Sequence, residues 1–419
     1  MLKGTDTNEI AARDSTPRGG IPADSAPPKA VLLVHNAYQQ PGGEDQAFLE
    51  EASLLEARGH RVVRHEAHND SLAQMGRAEL LGKTLWNQQA YRALRATIRR
   101  ERPDVVHFHN TFPLISPSGY YAAAAEGVPV VQTLHNYRLL CPNGLFFRQG
   151  APCEDCLGES IPWPGVAHGC YRESRTATGA VATMLSAHRA AGTWKSRVDA
   201  YVALTLFARE KFVAGGLPED KIFVKPNFVS RDAGTGSGGG GYALFVGRLS
   251  REKGVGTLLR AWERMGDGAV GLRIVGDGPL SDAVARAAEK NPRIGWLGRR
   301  PQEEVRALMQ DAGMLVFPSE CYETFGKVVV ESFSAGTPVV VARDGATAEL
   351  IEPGRTGLHF RTGDPVDLAN EVTRLAARPH ELARMRRNAR AEFERKYSAA
   401  RNYAMLTDIY ARVIEGRAA

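Results

Sequence analysis

The chain has 419 residues, 43% hydrophobic and 24% charged, with a formal net charge of +6 and five cysteines. That length exceeds one ordinary core and fits two lobes of about 200 residues each, and the composition excludes a low-complexity chain. No run of about 18 apolar residues marks a membrane-spanning helix; the mild positive charge, spread out and without a basic-aromatic RNA motif or helix-turn-helix pattern, speaks against nucleic acid and fits anionic small molecules or an acidic membrane surface.

Residues 1–29 are polar, contain Pro and Gly, and lack the apolar core of a secretory signal, so they read as a disordered tail. A reducing cytoplasm is the expected location, where the cysteines are not disulfide partners. Residues 30–35, AVLLVH, read as a buried parallel strand, 44–58 as an amphipathic helix and 59–63 as a second strand. The loop between the first strand and the helix ends in Gly42-Gly43, where bare backbone can approach a phosphate or sugar, although most glycine pairs are only turns. Residues 73–100 read as one helix carrying Arg92, Arg95, Arg99 and Arg100. That is a solvated face or, on the sharper reading, a contact with anionic lipid.

Residues 104–109, DVVHFH, and 128–134, VPVVQTL, are further strands. Ligands of open α/β sheets bind beyond the carboxyl ends of strands, where the second of these delivers His135. His107 and His109 share one strand face, and His107 is read as structural. Cys141, Cys153, Cys156 and Cys170 then fall within thirty residues in a Gly- and Pro-containing stretch. Four thiolates with a C-x2-C pair suit a structural tetrahedral zinc, with His168 as a substitute ligand. A redox pair at Cys153 and Cys156, or thiols without a ligand, are the alternatives. A helix at 174–197 and a strand at 199–205 follow, and 227–241, rich in Gly and Ser, reads as a flexible linker.

Residues 242–247, YALFVG, open a second lobe, and Arg248 and Lys253 flank the next loop into a helix. Two fixed cations there can neutralise a diphosphate. Strands at 271–276 and 294–297 and a helix at 302–310 lead to MLVFPSECYETFGKVVVESFSAGTP at 314–338. Here a strand ends, a loop presents Glu323, Thr324-Phe325-Gly326 turns into a helix, and Glu331 lies inside that helix eight residues after Glu323. A helix N-terminus suits an anion, and Lys327 in the first turn opposes the helix dipole unless an anion lies near. One acid before the helix and one inside it can hold hydroxyls at two ends of a ligand whose middle is phosphate.

The E-x7-E spacing within PSECYETFGKVVVESFSAGTPVV resembles the retaining glycosyltransferases of family 4; GRLSREKG and VVQTLHN resemble further segments of that family. The resemblance runs from residue 30 onward and is strongest over 242–362. It implies the α/β GT-B fold, two Rossmann-like domains facing across a cleft. The division is a first, acceptor domain at 30–226 with a Cys-rich insert at 141–170 that most of the family lacks, and a donor-nucleotide domain at 242–400. A helix at 401–419 crosses back to the first domain.

The resemblance further implies hexosyl transfer from a nucleotide-diphosphate sugar to a hydroxyl of a glycan or lipid-linked acceptor, with retention. Polysaccharide or glycolipid synthesis, with peripheral contact at the inner face of the plasma membrane, follows from it. On the matching positions, Gly42 and Gly43 line the cleft, His135 contacts the sugar, and Arg248 and Lys253 clamp the diphosphate. Glu323, with the backbone N–H groups of Phe325 and Gly326, orients the sugar; Glu331 takes the ribose hydroxyls; Thr324 and Lys327 complete the donor loop. No carboxylate nucleophile stands out, so front-side attack is expected, with no cofactor or DxD-type metal pair for catalysis. A nucleotide-sugar epimerase and a non-catalytic nucleotide-sugar binder are the rivals with this architecture; the intact Arg248, Lys253, Glu323 and Glu331 speak against the second.

Overall fold

The computed structural model describes residues 27–40, 42–232, 234–265 and 270–418. Short apolar runs form the strands: β1 (Ala30–Ala37), β2 (Arg61–His68), β3 (Val105–Phe108), β4 (Val130–Thr133), β5 (Phe147–Arg148), β6 (Ala151–Pro152), β7 (Ala200–Ala203), β8 (Ile222–Val224), β9 (Tyr242–Val246), β10 (Gly271–Val275), β11 (Ile294–Gly298), β12 (Met314–Phe317), β13 (Val339–Ala342) and β14 (Gly357–Phe360). They build two six-stranded sheets, in the orders β2-β1-β3-β4-β7-β8 and β11-β10-β9-β12-β13-β14. Every pairing within both sheets is parallel. Parallel sheets need helices on both faces, which is why β1 and β12 read as continuous apolar runs. The expected two-lobed α/β architecture is the one the chain forms.

Alternation along β1 divides the first lobe's core. Leu32 and Val34 pack with Leu94, Ile98 and Tyr120 on one face, while Val31 and Leu33 pack with Phe48, Leu55, Leu406, Ile409 and Tyr410 on the other. The last five of these residues come from two helices, Gly43–Ala57 and the final one, Ala399–Ala418. The final helix thus crosses back onto the first lobe, as the resemblance implied. Strand order reverses between β1 and β3 in the first sheet and between β9 and β12 in the second. Ligands bind at such reversals, beyond the carboxyl ends of the strands.

Three segments differ from their sequence reading. The helix expected at 73–100 is broken in two, Arg77–Leu85 and Gln88–Glu101. Asn87 ends the run because its side chain accepts from the N–H groups of Gln89 and Ala90, so it caps the second helix. Of that helix's arginines, Arg95 and Arg99 both pair with Glu126 at 2.6 and 2.9 Å, and Arg100 pairs with Glu101 at 2.7 Å. Much of the expected basic face is therefore neutralised from within. Among the described residues no helix is long and apolar enough to cross a membrane.

The second difference is the glycine-rich segment read as a flexible linker, which lies along the second lobe. Gly236 N–H donates to the Ala335 carbonyl at 3.0 Å, Gly238 N–H to that of Gln310 at 3.0 Å and Gly240 N–H to that of Asp311 at 2.9 Å. A Cβ on Gly236 would meet the Gln310 carbonyl at 2.1 Å. Here close approach of two backbones, rather than freedom, calls for glycine. The third concerns the tail: residues 1–26 lie outside the described residues, but Lys29 is fixed, its N–H donating to Asp104 Oδ2 at 2.7 Å.

Candidate active site

The carboxyl ends of both sheets face one cleft of about 750 Å³. The first lobe contributes Gly42, Gly43 and His135; the second contributes Arg248, Lys253, Glu323, Thr324, Phe325, Gly326, Lys327 and Glu331. Every residue singled out for the donor site lines this one space. Topology explains the convergence. β1 ends beside Gly42, β4 ends before His135, β9 ends before Arg248 and β12 ends before Glu323.

The loop after β12 turns into the helix Lys327–Ser334 through Gly326, whose φ is 86°. A Cβ there would sit 2.5 Å from Thr347 Cγ2 and would also strain the backbone, so this position requires glycine. Lys253 Nζ lies 2.6 Å from Glu323 Oε1, and Ser319 Oγ donates to the same oxygen at 2.7 Å. Burial alone would lower the Lys253 ammonium, but the adjoining Glu323 carboxylate more than offsets it and holds it well above the ordinary range. Clamp and sugar acid are thus pre-assembled as a charge pair. Arg248 is exposed and has no carboxylate partner among the described residues, so its charge faces the cleft. Glu331 is shielded, and burial pushes its carboxyl up, partly offset by Lys327 4.0 Å away.

Lys327 finds its partner within the protein. Its Nζ lies 2.7 Å from Glu50 Oε2 on the first lobe's helix Gly43–Ala57. The unfavourable cation at the helix N-terminus is therefore compensated across the cleft, and an anionic ligand is not needed to explain it. Further contacts join the lobes at the same place: Thr324 Oγ1 donates to the His135 carbonyl at 2.7 Å, and Tyr137 Oη to the Glu323 carbonyl at 3.0 Å. Gly42 and Gly43 adopt backbone angles that do not demand glycine, since neither has a positive φ. The Gly42 N–H is already engaged by Asp45 Oδ2 at 2.8 Å. A Cβ on Gly43 would meet nothing within 4 Å, so what its absence secures is open cleft.

Behind His135 lies a buried relay. His135 Nε2 is 2.9 Å from His109 Nδ1 and the rings stack. His109 Nε2 lies 3.3 Å from Glu51 Oε1, His107 Nδ1 lies 3.0 Å from the same oxygen, and Lys225 Nζ is 2.8 Å from Glu51 Oε2. His107 also bonds Tyr410 Oη and Thr133 Oγ1, each at 2.8 Å, which bears out its structural reading. Burial, then the neighbouring His107, pushes His109 down to about 4; burial and His109 push His135 down as well. Both rings are neutral at neutral pH, which suits hydrogen bonding to a sugar. A folded pKa below the unfolded value of about 6.5 means that the unfolded chain takes up more protons as pH falls. Stability is therefore expected to drop as pH falls from about 6.5 toward 4, with His109→Gln flattening the slope, as thermal midpoints across that range would reveal.

The sequence reading missed Glu44. Its carboxylate accepts from Tyr38 Oη at 3.1 Å and Asn136 Nδ2 at 3.2 Å, while Oε1 is buried without a partner at the cleft wall. Burial pushes this carboxyl up to about 8, despite hydrogen bonds from Asn136 and Tyr38. The only advance signal was an acid in the first turn of a helix, which ordinarily serves the dipole alone. A smaller cavity of about 40 Å³ adjoins His135 on the first lobe, lined by Asn110, Phe112, Asn136 and Arg138. Arg138 lies over the rings of Phe112 and of Tyr171, just past the Cys-rich insert.

Comparison with known proteins bears on this geometry. Residues 231–392 match the family model described as Glycosyl transferases group 1, and residues 41–233 match that described as Glycosyltransferase Family 4. An uncharacterised glycosyltransferase of Methanocaldococcus jannaschii is 30% identical over 193 residues, 45% of this chain and 54% of that protein. A D-inositol 3-phosphate glycosyltransferase of Corynebacterium kroppenstedtii is 32% identical over 179 residues, 40% and 39% of the two chains. The matches thus span about half or less of these relatives' length. Among solved structures, Anabaena HepE in complex with UDP-glucose superposes with a TM-score of 0.63 at 19% identity, covering 92% of this chain and 98% of that one. Sucrose-phosphate synthase from Thermosynechococcus elongatus gives 0.69 at 16% identity, covering 93% and 100%. These likenesses establish the GT-B fold.

Proposed function

The chain belongs to the group 1, family 4 glycosyltransferases, and from that premise we propose that it moves a hexosyl group from a nucleotide-diphosphate sugar to an acceptor hydroxyl with retention of configuration. The observation that carries the reading is the convergence of Arg248, Lys253, Glu323, Glu331 and His135 on one cleft between the lobes. Arg248 and Lys253 hold the diphosphate and stabilise the charge that grows on it as the sugar bond breaks. Glu323 and the amides of Phe325 and Gly326 orient the sugar, Glu331 takes the ribose hydroxyls, and His135 meets the sugar from the facing lobe.

The anomeric bond breaks toward the diphosphate while the acceptor oxygen attacks from the same face. The departing phosphate oxygen takes the acceptor proton, so no carboxylate nucleophile is required. Glu44 and Asn136 present polar groups to the acceptor side. The acceptor is a glycan or lipid-linked sugar of polysaccharide or glycolipid synthesis, met at the inner face of the plasma membrane.

A binding screen of uridine, guanosine and adenosine diphosphates and their hexose conjugates tests the reading. One diphosphate is expected to bind, and its sugar conjugate is expected to yield free diphosphate and an α- or β-glycoside of unchanged configuration by NMR. Isomerised donor without glycoside would instead identify an epimerase. Glu331→Ala is expected to weaken the bound nucleotide about tenfold or more while leaving 2′,3′-dideoxynucleotide binding unchanged, since it removes a partner of the ribose hydroxyls.

A further inference from the structure

Cys141, Cys153, Cys156 and Cys170 line one small cavity in company with His168, Arg148 and Asp155. The cavity holds about 10 Å³, room for a single water-sized particle. None of the four is in a disulfide. They reach it from three separate places. Cys141 follows the turn that carries Tyr137. Cys153 directly follows the β5–β6 hairpin and Cys156 lies in the next turn. Cys170 directly follows Gly169, whose left-handed conformation ends the helix Trp163–His168 and reverses the chain.

The sulfurs have mixed polar neighbours. Cys141 Sγ donates to Asn143 Oδ1 at 3.0 Å, and Cys156 Sγ lies 3.9 Å from the Pro162 carbonyl. Arg148 Nε donates to Cys153 Sγ at 3.5 Å. That guanidinium would favour a thiolate at Cys153. A redox C-x2-C pair opens a helix whose N-terminus activates the first sulfur. Here Cys153 leaves a two-residue strand, and the next helix begins at Trp163.

We propose that this cavity binds one zinc ion through the thiolates of Cys141, Cys153, Cys156 and Cys170. An all-sulfur donor set selects zinc in tetrahedral geometry; no three of these sulfurs lie within 4.8 Å of one another in this structure, so binding draws them in to about 2.3 Å from the ion. Binding converts four thiols to thiolates and releases four protons to solvent, and nothing is oxidised or reduced. The ion fastens a segment that has only two-residue strands and one six-residue helix of its own. That segment braces the donor loop. Glu154, between the paired cysteines, lies 2.7 Å from Lys211 and contacts Tyr322, the neighbour of Glu323. Arg251, in the clamp loop, donates to the Gln149 carbonyl at 3.4 Å.

The full chain, purified under reducing conditions without added metal or chelator, is analysed by native mass spectrometry and elemental mass spectrometry. One zinc per chain is expected. Four of the five thiols should react with a disulfide reagent only after a chelator strips the metal, and the stripped chain should take up one equivalent of zinc sulfate. Cys153→Ser and Cys170→Ser are each expected to lose most of the zinc, while Cys321→Ser keeps it. A wild-type chain without zinc that takes up none from zinc sulfate would overturn the proposal, whatever the folding of the variants. So would a species about 2 Da lighter that carries a Cys153–Cys156 disulfide.

Discussion

Replacing Lys253 by alanine is expected to weaken nucleoside diphosphate binding about a hundredfold and to slow sugar transfer by about 10² to 10³, while thermal unfolding shifts by only a few degrees. The ammonium sits 2.6 Å from Glu323, in the cleft between the lobes. A charge preset there needs no reorganisation as negative charge grows on the leaving diphosphate, and about 3 kcal/mol of that stabilisation disappears with it. Folding depends on it less. Its side chain is partly exposed, and Glu323 keeps the hydrogen bond from Ser319. Calorimetry separates the two roles: the diphosphate should lose affinity while the bare nucleoside binds as before. Turnover within about threefold of wild type would remove Lys253 from the clamp.

Lys225→Met is expected to give the largest loss of stability, about 3–5 kcal/mol, or some 6–20 °C in the thermal midpoint of a lobe of about 200 residues. Lys225 and Glu51 retain 1% and 5% side-chain exposure, and their 2.8 Å contact is the only lysine contact Glu51 makes among the described residues. Burial would raise the Glu51 carboxyl, but Lys225 first and His107 second hold it well below the ordinary range. Without the lysine the buried carboxylate loses its one lysine partner among the described residues and must take a proton or admit water. The paired change Lys225→Met with Glu51→Leu should regain much of the stability, because two apolar groups leave no charge stranded. It should not regain activity, since His109 and, through it, His135 lose their anchor. A single variant that melts within about 2 °C of wild type would show that the pair is not what secures this core.

What the chain disclosed in advance follows a physical rule. Arg248, Lys253, Glu323 and Glu331 were legible because each stands within a few residues of a strand end or helix start, so its placement is local. The strands were legible because parallel sheets need uninterrupted apolar runs, as at AVLLVH. Glu50 and Glu51 were not. They are consecutive in the helix Gly43–Ala57, yet one crosses the cleft to Lys327 and the other is buried beneath the histidines. Their partners lie 277 and 174 positions away, so only the finished topology tells which acid faces water. The linker glycines misled for a related reason: composition registers how free a residue is alone, and not what presses on it when folded. Asn87 could have been found, since an asparagine before a polar helical run is a familiar helix start.

The final helix carries a consequence for biosynthesis. Tyr410 completes the bonding of His107, and Leu406 and Ile409 close one face of the first sheet. During translation the strands of that lobe emerge before the second lobe, yet their closing layer, the helix Ala399–Ala418, is made only after it. The nascent first lobe must wait, a natural client for chaperones, with that apolar face covered only in part, by the helix Gly43–Ala57.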